Sequence, residues 1–326
     1  MKLTTRAIAA KAGVSAASVS RYYTGAEALS PDLVEKIEAA IAQMGGPTQP
    51  RRDRPKLILV LLSHLHFSFY SRALQGLMDQ SIGTDRSFHI LKYDPGHPEA
   101  VRSFVSRFRP AGVIYFEEEI DREVLVYLQG QGIRTVMCGG AAPDPDSDTI
   151  HVNDIKAAYD GTRYLLDLGH RQILFLSDDI SKIGAGFQRI TGCRKAMEEA
   201  GLPMPDSHVR CGAVTFQAGY DEVEQALRQG ISFTAVFAFS DEMAVGAMAA
   251  LFDAGVRVPE DVSVLGYDDL PIAVHIRPKL TTIHQPIDMF VRKALELFDR
   301  EPSGLTEELL LPHSISQRDS CIRRPL

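Results

Sequence analysis

Residues 15–21 combine side chains that can read the edges of DNA bases. Ala16 and Ala17 are small enough for close approach to thymine methyl groups, and Arg21 can donate two parallel hydrogen bonds to guanine. Hydroxyl groups nearby are suited to phosphate oxygens or helix caps; they belong to Thr5, Ser15, Ser18 and Ser20. The pattern predicts a helix that enters the major groove.

Two short helices that meet at Gly13 are predicted to position these residues. Glycine has no Cβ and can adopt the positive φ of a tight turn. Ser15 can cap the second helix by accepting a hydrogen bond from a backbone N–H one turn later. The apolar seam between the helices is expected to consist of Ile8, Ala12, Val14 and Val19.

A third helix is predicted to complete this head. Ser30 is placed to cap it, Pro31 suits its first position, and Asp32 puts an acid in its first turn. Its apolar face is Leu33, Val34, Ile37, Ile41 and Met44, and the Gly-Gly-Pro of residues 45–47 is expected to end it. A three-helix domain that binds another protein is an alternative, because helix–glycine–helix spacing alone is a weak signal.

The charge distribution favours DNA as the partner. Residues 1–56 hold nine lysines and arginines against five acids, a balance of +4 in a chain whose net charge is −7. The remaining 270 residues therefore carry −11. A basic segment neutralises phosphates, and an acidic body keeps the rest of the chain away from the duplex.

Length and composition predict a globular protein with more than one folding unit. The chain has 326 residues, of which 45% are hydrophobic and 24% charged. The sequence shows no apolar signal stretch or run of membrane-spanning length, so a cytoplasmic protein without a membrane partner is expected. The four cysteines are scattered, which argues against zinc and disulfides, and neither a metal nor a cofactor is predicted.

Beyond a proline-rich, charged linker at residues 47–56, strands and helices alternate. The strands are expected at 57–62, 88–93, 112–116, 134–138, 172–177, 235–239 and 262–267. Helices are expected around 71–80 and at 155–168, 190–200, 220–229 and 242–254. This alternation is typical of doubly wound parallel sheets, and the number of strands is enough for two of them.

Ligands of such sheets bind beyond the carboxyl ends of the strands, where the loops converge. Four polar residues fall at such places, namely Ser63, Ser240, Asp268 and Gln285, and Arg189 is expected to open a helix nearby. A guanidinium and a carboxylate together suit adjacent hydroxyl groups of a ligand. Two alternatives stay open: Asp268 as a turn residue that satisfies backbone N–H groups, and Arg189 as an ion pair between subdomains.

Ordered motifs along the whole chain resemble the LacI-type (lactose repressor/galactose repressor) family of transcriptional regulators. They lie at residues 12–21, 168–173, 189–192, 239–244, 259–269 and 278–283. The resemblance implies an N-terminal all-α helix-turn-helix head and an α/β core of two doubly wound subdomains, like that of periplasmic binding proteins. The expected ranges are 1–46 for the head, 47–56 for the linker and 57–326 for the core, with subdomains at 57–156 plus 286–314 and 157–285 plus 315–326.

The resemblance also implies a homodimer that binds a palindromic operator as a repressor, under control of a small-molecule effector such as a sugar. Arg189, Ser240 and Asp268 match family positions that hydrogen-bond the effector, whereas Gln285 and Ser63 match less decisive contacts.

Several residues depart from the family pattern. Ser240 replaces a common asparagine, Gly139 and Gly140 replace an Asp-Arg pair, and Val214 replaces an aromatic residue. Phe216 lies two residues beyond Val214, and stacking surface is expected instead from the neighbours of the first strand, His64, His66, Phe67, Phe69 and Tyr70. The linker lacks the leucine that family members wedge into the minor groove, so Arg51, Arg52 and Arg54 are predicted to contact phosphates or a narrow minor groove.

The sequence argues against two other classes of protein. A transporter's solute-binding protein would share the core, but the basic head and the missing signal segment argue against it. An enzyme is disfavoured because Gly-x-Ser-x-Gly, His-Glu-x-x-His and Walker-type motifs are absent, so no catalytic residue is proposed.

Overall fold

The computed structural model describes residues 4–24, 29–44, 56–63, 68–116, 120–139, 147–181, 184–300 and 306–324. Six residues with a predicted role in binding DNA or effector lie outside these ranges: His64, His66, Phe67, Arg51, Arg52 and Arg54. The predictions for these residues, and for the linker as a whole, stay predictions.

The head contains three helices, α1 (Thr5–Ala12), α2 (Ala16–Thr24) and α3 (Pro31–Gln43). Gly13 follows α1 with a φ of 65°, which confirms the predicted left-handed turn. Ser15 caps α2 as expected, since its Oγ accepts a hydrogen bond of 3.0 Å from the backbone N of Ser18. The buried core of the head consists of Ile8, Ala9, Val19, Ile37 and Ile41.

The predicted side-chain cap of α3 is wrong. Ser30 precedes the helix with an extended backbone, but its hydroxyl makes no capping hydrogen bond. The backbone N–H groups of Leu33 and Val34 instead donate to the Ser30 carbonyl, at 3.0 and 3.1 Å. The first turn is therefore satisfied through the main chain.

The core contains twelve strands and nine α-helices within the described ranges. The strands are β1 (Lys56–Leu62), β2 (Arg86–Lys92), β3 (Gly112–Tyr115), β4 (Arg134–Cys138), β5 (Asp148–Val152), β6 (Ile173–Ser177), β7 (Val209–Cys211), β8 (Ala235–Ala238), β9 (Ser263–Asp268), β10 (Thr281–His284), β11 (Glu308–Leu311) and β12 (Ser314–Ser316). The helices are α4 (Ser68–Ser81), α5 (Glu99–Phe108), α6 (Arg122–Gly130), α7 (Asp154–Asp167), α8 (Ala185–Glu199), α9 (Phe216–Arg228), α10 (Asp241–Asp253), α11 (Ile272–His275) and α12 (Ile287–Phe298).

These strands form two six-stranded sheets. Sheet one has the order β11-β5-β4-β3-β1-β2 and sheet two has the order β12-β10-β9-β8-β6-β7. All neighbours are parallel in sheet one, whereas sheet two ends in β12, which is antiparallel to β10. The predicted fold class, a helical head and an α/β core with two doubly wound sheets, is confirmed.

The described strands require three passages of the chain between the sheets: after β5, after β10 and after β11. Each sheet thus contains strands from distant parts of the sequence. Strands β1, β3, β6 and β8 consist mainly of apolar residues that are almost completely buried, as is usual for parallel strands.

Candidate functional site

Arg189 lies at the centre of a polar cluster beside the carboxyl edge of sheet two. Its Nε donates to Oδ1 of Asp154 at 2.7 Å, and its Nη1 donates to the carbonyl oxygen of Phe239, also at 2.7 Å. Burial alone would lower the pKa of Arg189, but the charge of Asp154 raises it overall. The guanidinium is therefore charged and held on two sides.

Tyr267 contacts both members of this ion pair. The guanidinium carbon of Arg189 lies 3.8 Å from the centre of the Tyr267 ring, a cation–π contact in a buried setting. The Tyr267 hydroxyl donates to the same Asp154 oxygen at 2.7 Å. Asp154 is 3% exposed and stands at the first position of α7, which packs against α8.

Asp268 is the polar residue of the site with an unmet hydrogen-bonding requirement. It ends β9 with a φ of 107°, an unusual value for a residue other than glycine. One carboxylate oxygen, Oδ1, accepts from Nε2 of Gln285 at 2.7 Å, whereas Oδ2 is buried and has no partner among the described residues. Burial raises the pKa of Asp268 to about 7.

Ser240 and its neighbour Asp241 begin α10. Ser240 is fully buried, and its Oγ accepts from the backbone N of Met243 at 3.1 Å as a helix cap. The Asp241 carboxylate accepts from the backbone N of Leu270 at 2.6 Å and from Oγ1 of Thr282 at 2.5 Å. Burial raises the pKa of Asp241 well above its usual value. This acid ties α10 to β10 and to the loop after β9.

The contribution of sheet one is more apolar. Ser63 follows β1 and is half-buried, and Phe69 in α4 is buried with its ring edge-to-face on Phe290. Gly139 follows β4 with a φ of 83°, and a Cβ there would lie 3.3 Å from Cζ of Phe69. The ring of Phe69 therefore fits against a glycine where a side chain would crowd it. Phe216, the first residue of α9, is 44% exposed.

Glu242 of α10 contacts the first residue of α4. Oε1 of Glu242 accepts from the backbone N of Ser68 at 3.1 Å and also from its hydroxyl. Ser68 is the first residue of α4, the helix that follows β1 of sheet one. An acid at the carboxyl edge of sheet two therefore lies at the N-terminus of this helix.

The head presents its predicted DNA-contact residues mainly to solvent. Thr5, Ser15, Ala16, Ala17 and Ser20 are exposed. Ser18 and Arg21 are half-buried, and Oγ of Ser18 lies 2.8 Å from Oγ of Ser15. Their roles toward DNA stay predictions.

Residues 162–321 match the family model described as a periplasmic binding protein-like domain. The ribose operon repressor of Escherichia coli (strain K12) is 31% identical over 328 residues, which cover 97% of this chain and 99% of that protein. A LacI family transcriptional regulator from Enterococcus faecium with bound ribose is 26% identical, covers 83% of this chain and 100% of its own, and superposes with a TM-score of 0.74. The chain belongs to the LacI family of transcriptional regulators.

A second solved structure extends the likeness to nearly the whole chain. The transcriptional regulator CelR in complex with cellobiose is 26% identical, covers 98% of this chain and superposes with a TM-score of 0.72. As a LacI family member, the chain is a DNA-binding transcriptional regulator controlled by a small-molecule effector. Within the described ranges, no helix has the length and apolar character needed to cross a bilayer.

The structure of this LacI family member corrects one expectation about the site. Arg189 was expected to open a helix, but α8 begins at Ala185, so Arg189 lies in its second turn. The sequence reads as a loop there because Gly184 and Gly186 flank Ala185. The carboxylate of Asp178 occupies the space beside Gly186, where a Cβ would lie 1.7 Å from its Oδ1, so a larger residue would require that side chain to move.

These contacts bear on the alternative roles that the sequence allows for Arg189 and Asp268. Arg189 does form an ion pair, with Asp154. Asp268 accepts from the Gln285 side chain, and the structure gives it no backbone N–H donor among the described residues. Sequence reasoning missed Asp154, Tyr267 and Glu242. Asp154 could have been found, because Asn153 and Asp154 begin a helix directly after a strand. Tyr267 and Glu242 lie within the family-like motifs at 259–269 and 239–244, but the motifs assign them no role.

Proposed function

We propose that this chain is a homodimeric repressor that binds a palindromic operator. A sugar or related metabolite bound in the core controls its affinity for that operator. The proposal places the protein in the cytoplasm and gives it no catalytic activity. Its head is residues 1–46, its linker 47–56 and its core 57–326, with subdomain one at 57–156 and 286–314 and subdomain two at 157–285 and 315–326.

The observation that carries the effector site is Oδ2 of Asp268, which is buried and has no hydrogen-bond partner among the residues that the structure describes. An unsatisfied buried acceptor costs about 1–3 kcal/mol, and a ligand hydroxyl would remove that cost by donating to it. Arg189 beside it is fixed by Asp154 and Tyr267, so its guanidinium is ready to donate to a ligand oxygen. Donors and acceptors arranged in this way suit a sugar, in line with the sugar-bound structures of related regulators.

The other predicted effector contacts complete the proposal. Ser63, Phe69 and His64 would contribute from the region after β1, and Phe216, Ser240 and Gln285 from sheet two. An aromatic face can stack on the apolar face of a sugar ring while hydroxyl groups meet polar side chains.

DNA binding is assigned to the head. The exposure of Ala16 and Ala17 on one short helix supports direct contact with base edges, with Arg21 as the guanine reader. Thr5, Ser15, Ser18 and Ser20 would position the head on phosphates. Arg51, Arg52 and Arg54 of the linker would contact phosphates or a narrow minor groove.

The proposed homodimer fits the geometry by which proteins recognise a palindromic operator. Two heads related by a two-fold axis match two half-sites of a palindrome. An effector that changes the arrangement of the core would change the spacing of the heads, provided that it binds the two arrangements with different affinity.

Thermal unfolding with ribose and cellobiose tests the effector site, because a bound ligand raises the melting temperature by mass action. We expect at least one sugar to stabilise the wild type and Arg189→Ala to lose that response. Arg194→Ala, an exposed arginine on the same helix, serves as the matched control and should respond like the wild type. An unchanged response of Arg189→Ala would contradict the assignment.

Operator binding is tested by fluorescence anisotropy at several salt concentrations. The full chain should bind its operator with strong salt dependence, whereas a chain without residues 1–46 should keep the sugar response and lose DNA binding. An enzyme would instead keep turnover after this deletion.

A further inference from the structure

The helix α12 begins close to the proposed effector site. Nε2 of Gln285 donates to Oδ1 of Asp268 at 2.7 Å, and Gln285 stands two residues before the first residue of α12. The chain passes here from sheet two to sheet one, because β10 ends at His284 and α12 packs against α4, β4 and β5. A ligand that displaces Asp268 would therefore displace the N-terminal end of α12.

The packing of α12 is that of a helix that moves as a unit. Its 12 residues span about 18 Å. Six of them are buried, namely Ile287, Phe290, Val291, Ala294, Leu295 and Leu297. At the last residue of the helix, the Phe298 ring fills the space beside Gly112 of β3, where a Cβ would lie 2.2 Å from the ring. Because closely packed interiors deform little, a displacement at one end of α12 is expected to reach the other end.

The first residues of three strands hold the C-terminal end of α12. Nη1 of Arg134 in β4 donates to the carbonyl oxygen of Leu297. Asp299 follows the helix, and its carboxylate accepts from Nη2 of Arg86 in β2 and from Nζ of Lys56 in β1, the latter at 3.4 Å. The hydrogen bond from Arg86 lowers the pKa of Asp299, so this carboxylate is charged at neutral pH. Cations near the C-terminus of a helix also interact favourably with its dipole.

Lys56 is the residue at which the chain enters the core. It ends the predicted linker and begins β1, and its backbone N donates to the carbonyl oxygen of Asp85 at 2.7 Å. Because β1 runs from Lys56 toward Ser63, Lys56 lies at the edge of sheet one opposite to the proposed effector contacts. Asp299 therefore connects the far end of α12 to the residue that follows the linker and the head.

We propose that α12 transmits effector binding to the head, and that Asp299 is the positioning residue that couples this helix to the linker. An effector bound at Asp268 moves Gln285 and α12, and Asp299 carries the displacement to Lys56. This inference rests on the proposed function, because it connects the proposed effector site with the proposed DNA-binding head. Coupling between two sites is a free energy, so it is measured as the change that one ligand causes in the affinity for the other.

Operator affinity of the full-length chain gives this coupling directly. Fluorescence anisotropy without and with saturating ribose or cellobiose yields two dissociation constants, whose ratio measures the coupling. In Asp299→Asn, which removes the charge and keeps the size, we expect the ratio to move at least about threefold closer to unity. Operator affinity without sugar and sugar affinity without operator should each stay within about threefold of the wild type. A general loss of stability would not change the ratio alone.

Two further variants separate the ion pairs of Asp299 from a general effect on α12. Asp299→Glu keeps the carboxylate and should keep most of the coupling. Glu296→Gln is the matched control, because Glu296 lies in the last turn of the same helix and pairs with Lys293 at 2.7 Å. This control should have the wild-type ratio.

Hydrogen exchange tests the same connection without any ligand. Gln285→Ala removes the side chain that contacts Asp268 and so perturbs α12 at its N-terminal end. Peptides that contain residues 56–62, analysed by mass spectrometry, should exchange at least about threefold faster in this variant than in the wild type. Once Asp299→Asn is present, adding Gln285→Ala should have little further effect on these peptides, because the two changes act on one connection.

The possible failures are distinct. An unchanged ratio in Asp299→Asn would overturn the inference and leave sugar and operator binding, and thus the proposed function, intact. Exchange at residues 56–62 that does not respond to Gln285→Ala would also overturn it. A wild type whose operator affinity responds to no sugar would contradict the proposed function, and the exchange experiment would then decide the inference by itself.

Discussion

The carboxyl edges of the two core sheets differ in chemistry. The edge of sheet two carries a preorganised polar cluster in which Arg189, Asp154 and Tyr267 hold one another. The described residues at the edge of sheet one are mainly apolar, with Phe69 packed between Gly139 and Phe290. Among the described residues, the polar contacts therefore lie at the edge of sheet two and the apolar packing lies at the edge of sheet one.

The largest effect is expected from Asp154→Ala. The substitution leaves the buried guanidinium of Arg189 without its carboxylate, and breaking a buried ion pair costs about 3–5 kcal/mol. The free energy of unfolding, measured in urea, checks this. Asp167→Ala on the same helix removes an exposed ion pair with Arg163 and should change stability by less than about 1 kcal/mol. Equal losses in the two variants would show that the buried ion pair at the edge of sheet two contributes no more than an exposed one.

Asp268→Asn tests whether the unpartnered carboxylate destabilises the fold. Because its pKa is raised to about 7 in the folded protein, the carboxylate's cost appears as the pH rises above about 4 and is complete above about 7. The variant should therefore be more stable than the wild type at pH 8, by up to about 4 kcal/mol, and similar to it at pH 4. Unfolding measured across this range, with the exposed Asp253→Asn as control, would show a flat difference if the interpretation is wrong.

Phe69→Leu examines the apolar edge. Leucine lacks the ring that packs between Gly139 and Phe290, so the substitution should cost about 1–2 kcal/mol of stability. It should also weaken sugar binding by a few-fold, because the proposed stacking surface is lost. Calorimetric titration with the sugar that stabilises the wild type measures this. A complete loss of binding would show that sheet one contributes more than shape.

The smallest effect is expected from Tyr267→Phe. The ring stays under Arg189, and only the hydrogen bond to Asp154 is lost, which should cost about 1 kcal/mol. The melting temperature should fall slightly while sugar binding persists. A loss as large as that of Asp154→Ala would mean that the hydroxyl, rather than the carboxylate, anchors the cluster.

Local patterns predicted much of the fold. The strand at residues 134–138 agrees with β4, and the apolar run before residue 63 became β1. Five strands were missed, namely β5, β7, β10, β11 and β12; four of them have only three or four residues, which are too few to show a pattern. The start of α8 was missed because glycines there signal a loop, although one of them, Gly186, lies within the helix beside the Asp178 side chain.

The site was predictable only in part. The rule that ligands bind at the carboxyl ends of parallel strands placed Ser240 and Asp268 at the correct edge. The support of Arg189 could not be found in this way, because Asp154 lies 35 residues away from it and 113 residues away from Tyr267. Such contacts depend on how helices pack, which a single sequence does not reveal.

The order of the strands has a consequence for the synthesis of the chain on the ribosome. Sheet one gains its last strand at residues 308–311 and sheet two at residues 314–316, so neither sheet is complete until almost the whole core has been translated. The head needs only residues up to 44 for its three helices. The head of a nascent chain would therefore fold long before the core that regulates it is complete.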